Sequence, residues 1–263
     1  MKLIDISEHQ GIIEWEKVKG NIDGVIIRAG YGSKGTLDKR FTYNASECNR
    51  LGIPCGAYWF SYAKTVEEAK AEAKHLLSAV KPYKMELPLC YDFEYVSVDN
   101  AEAQGVKITK TVATDFALEF LSAIEAGGYW ALNYTNQDFL NRLHDIDILG
   151  RFGVWLAAWK LSKNPDLSNP PRACSIWQWS NVGKVPGITG NVDMDESYID
   201  FPQAIRDAGL NHLTNLGPAQ DALKWAQSNY ITDDPELALA LYRYHFTFHV
   251  PEDVQRYSGK TAD

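Results

Sequence analysis

Eight short apolar runs, the first five separated by helical patterns and the last three by short polar links, predict an α/β fold. Strands that alternate with helices pair in parallel, and eight is the number that closes a barrel. The 263-residue length suits one such barrel with a small appendage, and 45% hydrophobic with 23% charged residues is ordinary globular composition. A barrel of this kind gathers its functional side chains at the C-terminal ends of its strands.

Residues 2–7 read as the first strand, followed by a turn and a short helix around Trp15. Residues 24–30 form the second, then a helix over 38–51, in which Phe41, Ala45 and Cys48 recur at helical spacing. Residues 55–61 are the third, and Thr65 with Glu68 makes a capping box that opens a helix to Val80. Residues 87–95 are the fourth, with a long helix over 107–126 ending at Gly127 and Gly128. Residues 129–135 are the fifth, and a short helix follows near 137–143. The last strands, 153–159, 174–180 and 190–198, are joined by links rich in Pro, Asn, Ser and Gly that cannot hold full crossover helices.

The fourth strand ends in two carboxylates one residue apart, Asp92 and Glu94. In a strand such residues share a face, with Cα atoms roughly 6.5–7 Å apart, while Phe93 turns the other way. Two carboxyl groups in one partly apolar pocket cannot both ionise freely, so one holds a proton and the other a charge. That is the equipment for cleaving a glycosidic bond. The plainer reading of Asp-x-Glu is a strand end dipping into water. Convergence weighs against it, because the other strand ends carry Asp5 and Ser7, Arg28, Tyr58, Tyr134, Trp155, Gln178 and Asp193. Acids from the first, fourth and eighth strands would meet on one rim, and the first and eighth strands adjoin in a closed barrel.

Composition excludes several functions. A net charge of −8 and a pI near 5.3 oppose nucleic acid as a partner. No apolar run approaches the roughly 20 residues that span a bilayer. Met1-Lys2-Leu3-Ile4-Asp5 offers no secretory signal, which reads as a protein kept inside the cell or released by other machinery. Cys48, Cys55, Cys90 and Cys174 show no metal-ligand spacing, so neither a metal nor a cofactor is expected. Cys90 and Cys174 lie in apolar strands and read as small buried hydrophobes, with no disulfide required. Eight Trp and fourteen Tyr supply flat apolar faces that stack on sugars.

The motifs, taken together, resemble one family. They are Asp5-Ile6-Ser7-Glu8-His9-Gln10-Gly11, Arg28-Ala29-Gly30-Tyr31-Gly32, Gly56-Ala57-Tyr58-Trp59-Phe60 and Tyr91-Asp92-Phe93-Glu94. Trp177-Gln178-Trp179-Ser180 and Gly190-Asn191-Val192-Asp193-Met194-Asp195 complete the set, in order and at compatible spacing. Residues 1–200 resemble the glycoside hydrolase family 25 lysozymes, the N-acetylmuramidases of bacteriophage endolysins and of some bacteria and fungi. The resemblance implies an irregular TIM-like barrel of five β-α units followed by three strands. It also implies Glu94 as general acid and Asp92 as the group that orients the substrate's 2-acetamido group. Asp5 and Asp193 would be further acids on the groove floor, with Tyr58 and Tyr134 near the reacting sugar. The implied partner is bacterial cell-wall peptidoglycan, reached from the host cytoplasm after release, with no role for a membrane.

Plainer roles fit other residues. His9 reads as a solvated loop histidine, since this chemistry needs no imidazole. Arg28 reads as an ion-pair partner in the barrel mouth or a contact for substrate. Trp15, Trp130 and Trp225 read as packing. Of Trp155 and Trp159, and of Trp177 and Trp179, one of each pair is expected to face inward. Two rival functions are a non-catalytic glycan-binding barrel and a chitinase-like hydrolase. The first has no need of paired acids, and the longer acidic run of the second is replaced here by Pro88, Leu89 and Cys90.

After residue 200 the strand pattern stops. Residues 202–208, 218–230 and about 234–248 read as helices, and Pro251 opens a final turn. Tyr230, Leu237, Leu241, Tyr244 and Phe248 would form an apolar face needing a partner. Residues 201–263 are thus expected to be a small helical module that binds the wall, or that packs on the barrel or pairs copies into a homo-oligomer.

Overall fold

The computed structural model describes residues 1–159 and 165–213. In chain order β1 (Lys2–Ile6) leads to α1 (Trp15–Val18), β2 (Gly24–Tyr31), the two-residue β3 (Thr36–Leu37), α2 (Phe41–Leu51), β4 (Cys55–Phe60), α3 (Val66–Val80) and β5 (Leu89–Asp92). Next come α4 (Tyr95–Ala103), α5 (Lys110–Ala126), β6 (Ala131–Asn136), α6 (Gln137–Arg142) and α7 (Ile146–Leu149). β7 (Val154–Ala157), β8 (Ile176–Gly183), β9 (Val192–Ser197) and α8 (Phe201–Asp207) complete the described chain.

Pairing runs β1-β9-β8-β7-β6-β5-β4-β2, and a β1–β2 pairing closes the ring into an eight-stranded barrel. β3 hangs on β2 as an extra antiparallel strand that the sequence pattern does not reveal. Seven strands run parallel, but β9 is antiparallel to both β8 and β1. The parallel pairing of strands that alternate with helices does not extend to β9, because the β8–β9 link is too short for a crossover, which takes a dozen or more residues. The reversal places the start of β9, and Asp193 with it, at the mouth where the parallel strands end.

Alternation divides the core into two shells. Outward residues such as Ile4, Val25, Ala57, Trp59, Leu89 and Tyr91 pack under helix residues including Phe41, Ala73, Leu76, Phe116 and Phe120. Inward residues Leu3, Ile26, Cys90, Leu132 and Ile176 fill the barrel, and Phe201 with Ile205 from α8 join them. The four thiols are free. Thr65 Oγ1 accepts the Glu68 N–H at 3.1 Å, while Glu68 reaches back to the N–H of Lys64 at 2.8 Å. The expected cap of α3 therefore forms with its return arm displaced by one residue.

The fourth strand is shorter than expected. Pro88 lacks the N–H a ladder needs, and beyond Asp92 the chain turns into α4, a helix the sequence pattern does not announce. The compact unit that holds the barrel extends to Leu213. Asn211 explains the extension, since its side chain accepts from the Trp130 N–H at 2.7 Å and donates to Met85 O and Leu87 O at 2.9 and 3.0 Å. The helices expected over 218–230 and 234–248, the apolar face from Tyr230 to Phe248, and Trp225 lie outside the described residues.

Candidate active site

Every strand of the ring sends a side chain into one cavity of about 420 Å³ at the barrel mouth. β1 supplies Asp5, β2 Arg28, β4 Tyr58 and β5 Asp92, with Glu94 just beyond. β6 supplies Tyr134, β7 Trp155, β8 Gln178 and β9 Asp193. All nine residues singled out in the sequence thus share one site. Register explains the convergence: Asp5 lies opposite Asp193, Asp92 opposite Tyr134, and Tyr134 opposite Trp155.

Glu94 is not part of a strand. Its backbone stays extended (φ −125°, ψ −176°) and carries the course of β5 one step further, so its side chain turns to the same side as Asp92. The hydroxyl of buried Ser97 accepts the Glu94 N–H at 3.1 Å and fixes this step at the start of α4. Phe93 points away and packs near Tyr91, Phe116 and Phe139.

Burial raises the Glu94 pKa, and the Tyr134 hydroxyl opposes it by hydrogen bonding. Like-charge repulsion, the expectation from paired acids, is not the leading cause. Asp92 is held well above the carboxylate range by burial and then by the Glu94 charge, with Arg28 opposing. Its Oδ1 is buried and meets no donor among the described residues. Asp193 is pushed up to about 6 by burial and by Glu94. Asp5 is raised well above its ordinary value by burial and by the charges of Asp195 and Asp193.

Gln178 knits these groups together. Its Nε2 donates to Asp5 Oδ2 at 2.7 Å, and its Oε1 accepts from Tyr134 Oη at 3.1 Å and from Trp159 Nε1 at 2.9 Å. Arg28 is already paired, with Nε 2.8 Å from Asp38 and Nη2 3.3 Å from Glu8. It walls the cavity as an ion-pair partner. His9 sits on the rim as an exposed side chain.

Trp159 and Phe60 also line the mouth, and sequence reasoning does not select them. Trp159 is 55% exposed beside the cavity, a free flat face. The signal is there in its spacing, since positions four apart on an extended chain share a side and Trp155 faces inward. The expected split within each Trp pair fails for that reason. Trp155 and Trp159 both reach the cavity, whereas Gln178 takes the inward position between Trp177 and Trp179. Asp195, the second acid of β9, is fully buried just beneath the mouth and bonded to the Trp155 indole at 2.7 Å.

Comparison with known proteins agrees with this architecture. The family model for glycosyl hydrolases family 25 matches residues 4–188. Lysozyme M1 of Streptomyces globisporus is 26% identical over 201 residues, covering 73% of this chain and 66% of that protein. The modular autolysin LytC of Streptococcus pneumoniae superposes with a TM-score of 0.61 at 29% identity, over 74% of this chain and 46% of LytC, and it has also been solved with a synthetic peptidoglycan ligand. The catalytic domain of endolysin ply40, from a bacteriophage of Listeria monocytogenes, shares the fold with a TM-score of 0.66 at 21% identity, over 78% of this chain and 97% of that domain. The match thus spans about two thirds of the Streptomyces lysozyme and under half of LytC. With a family model covering most of the barrel, and acids from β1, β5 and β9 gathered at its mouth, the chain belongs to the glycosyl hydrolases family 25.

Proposed function

We propose that this protein is an endolysin-type N-acetylmuramidase, hydrolysing the β-1,4 bond between N-acetylmuramic acid and N-acetylglucosamine in peptidoglycan. The observation that carries this reading is the pairing of Glu94 with Asp92 in one cavity, where burial favours the protonated acid and Asp92 keeps an unused buried oxygen. Kinship with a named lysozyme and with an autolysin solved with a peptidoglycan ligand supports the substrate class.

In this reading Glu94 gives its proton to the glycosidic oxygen as the C1–O bond breaks. The carbonyl oxygen of the 2-acetamido group attacks C1, and Asp92 Oδ1 accepts the acetamido N–H, which stabilises the charge on that group. Water then attacks C1 and returns a proton to the Glu94 carboxylate. Asp5 and Asp193 supply negative field for the positive charge developing on the sugar. Tyr134 orients Glu94, while Tyr58, Trp155 and Trp159 offer aromatic surface to the glycan. An endolysin of this kind leaves the host cytoplasm only at lysis, and no helix among the described residues is long and apolar enough to cross a membrane.

Mass spectrometry of products from purified peptidoglycan tests the bond assignment. New reducing ends are expected on muramic acid. Ends on glucosamine would overturn the reading in favour of a glucosaminidase.

A further inference from the structure

We propose that the loops following β1 and β2 form a second recognition site, in which Lys39 and Arg40 bind free carboxylates of the stem peptide that N-acetylmuramic acid carries. This site rests on the muramidase reading for its ligand and lies outside the cavity that cleaves the sugar chain.

Opposite sides of the mouth differ in chemistry. In the ring of eight strands β2 lies across from β7. On the β7 side Trp155 and the exposed Trp159 offer rings to a sugar. On the β2 side the cavity wall is Arg28, and beside it opens a second hollow lined by Glu8, His9, Gly11, Lys39 and Arg40. His9 borders both hollows, so the two form one trough. No Trp, Tyr or Phe of the described residues lines the outer hollow, which therefore suits a charged group rather than a sugar face.

One carboxylate ties this hollow to the cavity. Asp38 accepts from Arg28 Nε at 2.8 Å, from Glu8 N at 2.9 Å and from Arg40 N at 2.8 Å. Glu8 in turn meets Arg28 Nη2 at 3.3 Å and Lys39 Nζ at 3.6 Å. Arg28, Lys39 and Arg40 thus face only Glu8 and Asp38, a local excess of positive charge on a chain of net charge −8. The Arg40 guanidinium is the surplus, partly buried and meeting no acid among the described residues. A partly desolvated cation without a counter-ion gains by binding a carboxylate, which fits the planar fork of Arg. The reach is also right. Neighbouring strands lie 4.7–4.9 Å apart, so β2 is about 10 Å from β5, where Asp92 holds the 2-acetamido group in the muramidase reading. The lactyl ether leaves the adjacent ring carbon, and three or four extended residues at about 3.5 Å each carry a stem carboxylate across that span to Arg40.

Soluble glycan strands, freed of phosphate polymers, supply the test in two forms, with their stems and after an amidase has removed them. The lactyl carboxylate that the amidase leaves stays too near the sugar ring to reach Arg40. Arg40→Gln is expected to raise KM on stem-bearing strands about three- to tenfold, with kcat nearly unchanged. Arg40→Glu should raise it by about tenfold or more, since it turns attraction into repulsion. On stem-free strands both variants should match the parent, whose own KM should be higher there than on stem-bearing strands. Either variant keeps the residue 40 N–H that Asp38 accepts. Should the Arg40 variants fail to fold, Lys39→Glu makes the same charge change at an exposed position, and it should raise KM about threefold on stem-bearing strands alone. The inference is overturned if KM on stem-bearing strands keeps the parent value, if it rises equally on both forms, or if the parent does not distinguish them. Binding gives a readout without turnover. In Glu94→Gln, calorimetry should show a lower Kd for stem-bearing than for stem-free strands, and adding Arg40→Glu should abolish that difference. Absence of new muramic acid ends from either form would sink the functional reading, and the binding comparison would still decide the role of Arg40.

Discussion

Glu94 and Asp92 are separated by one residue, yet different surroundings set their roles. Glu94 is raised chiefly by burial, with the nearby Tyr134 hydroxyl opposing, while Asp92 also feels Glu94 and the opposing Arg28. Glu94→Gln is expected to lower kcat by about 10³-fold or more without loss of fold, checked by turnover on cell walls beside circular dichroism. A raised pKa keeps Glu94 protonated to higher pH, so activity should fall as pH rises through that value. In Glu94→Asp the shorter acid should hold less proton and move this alkaline limb downward. Asp193→Asn should cost far more activity than Asp195→Asn, because Asp193 lines the cavity and Asp195 does not. Trp159→Ala should raise KM about three- to tenfold and leave kcat nearly unchanged, the loss of one stacked aromatic face.

Elements place these residues through a few clasps rather than through loop rigidity in general. Asp38 is the clasp of the first loops. Its carboxylate accepts from Glu8 N at 2.9 Å, Arg28 Nε at 2.8 Å and Arg40 N at 2.8 Å, which delays the start of α2 to Phe41. On α3, buried Glu72 accepts from Ser61 Oγ at 2.6 Å and Tyr62 N at 2.9 Å, while Ser61 N bonds Asp92 O at 2.7 Å, so this helix steadies the backbone of Asp92. Asn211 does similar work at the opposite end, in a left-handed conformation (φ 55°) that Asn tolerates. Asn211→Ala strands three backbone groups and should cost about 2–3 kcal/mol in urea unfolding. A loss below about 0.5 kcal/mol would mean that water replaces those bonds.

For the whole molecule, closure of the ring concentrates buried acids in one place, and stability carries the consequence. Asp193, Glu72 and Asp195 are raised to about 6, about 7 and about 8. Between the unfolded values near 4 and these folded values, the folded state binds protons that the unfolded chain releases. Stability therefore falls as pH rises across that window, by about 1.4 kcal/mol per unit for each group inside it, and the dependence disappears below about pH 4. Urea unfolding at pH 5 should show a more stable protein than at pH 8, and Asp195→Asn should flatten the difference. Truncation after Leu213 removes residues 214–263 while keeping Asn211 and its bonds. We expect the truncated chain to remain folded and to cleave walls, and to sediment with them less well if the tail is a wall-binding module. Undiminished sedimentation would rule that module out.

The local pattern of the sequence determined much of this protein. Period-two runs located the barrel strands, the caps at Thr65 and Gly127 bounded helices, and alternation along extended chain set Asp92 and Glu94 on one side. Six spaced motifs carried the family. Only the tertiary structure decided what depends on partners distant in sequence. The reversal of β9 follows from ring closure against β1, the start of α4 from a strand that ends at Asp92, and the attachment of 201–213 from a barrel end open to Phe201 and Ile205. Burial likewise exists only once the ring closes. That is why the sequence could name the acids at the mouth, while the fold alone determined which of them keep their protons.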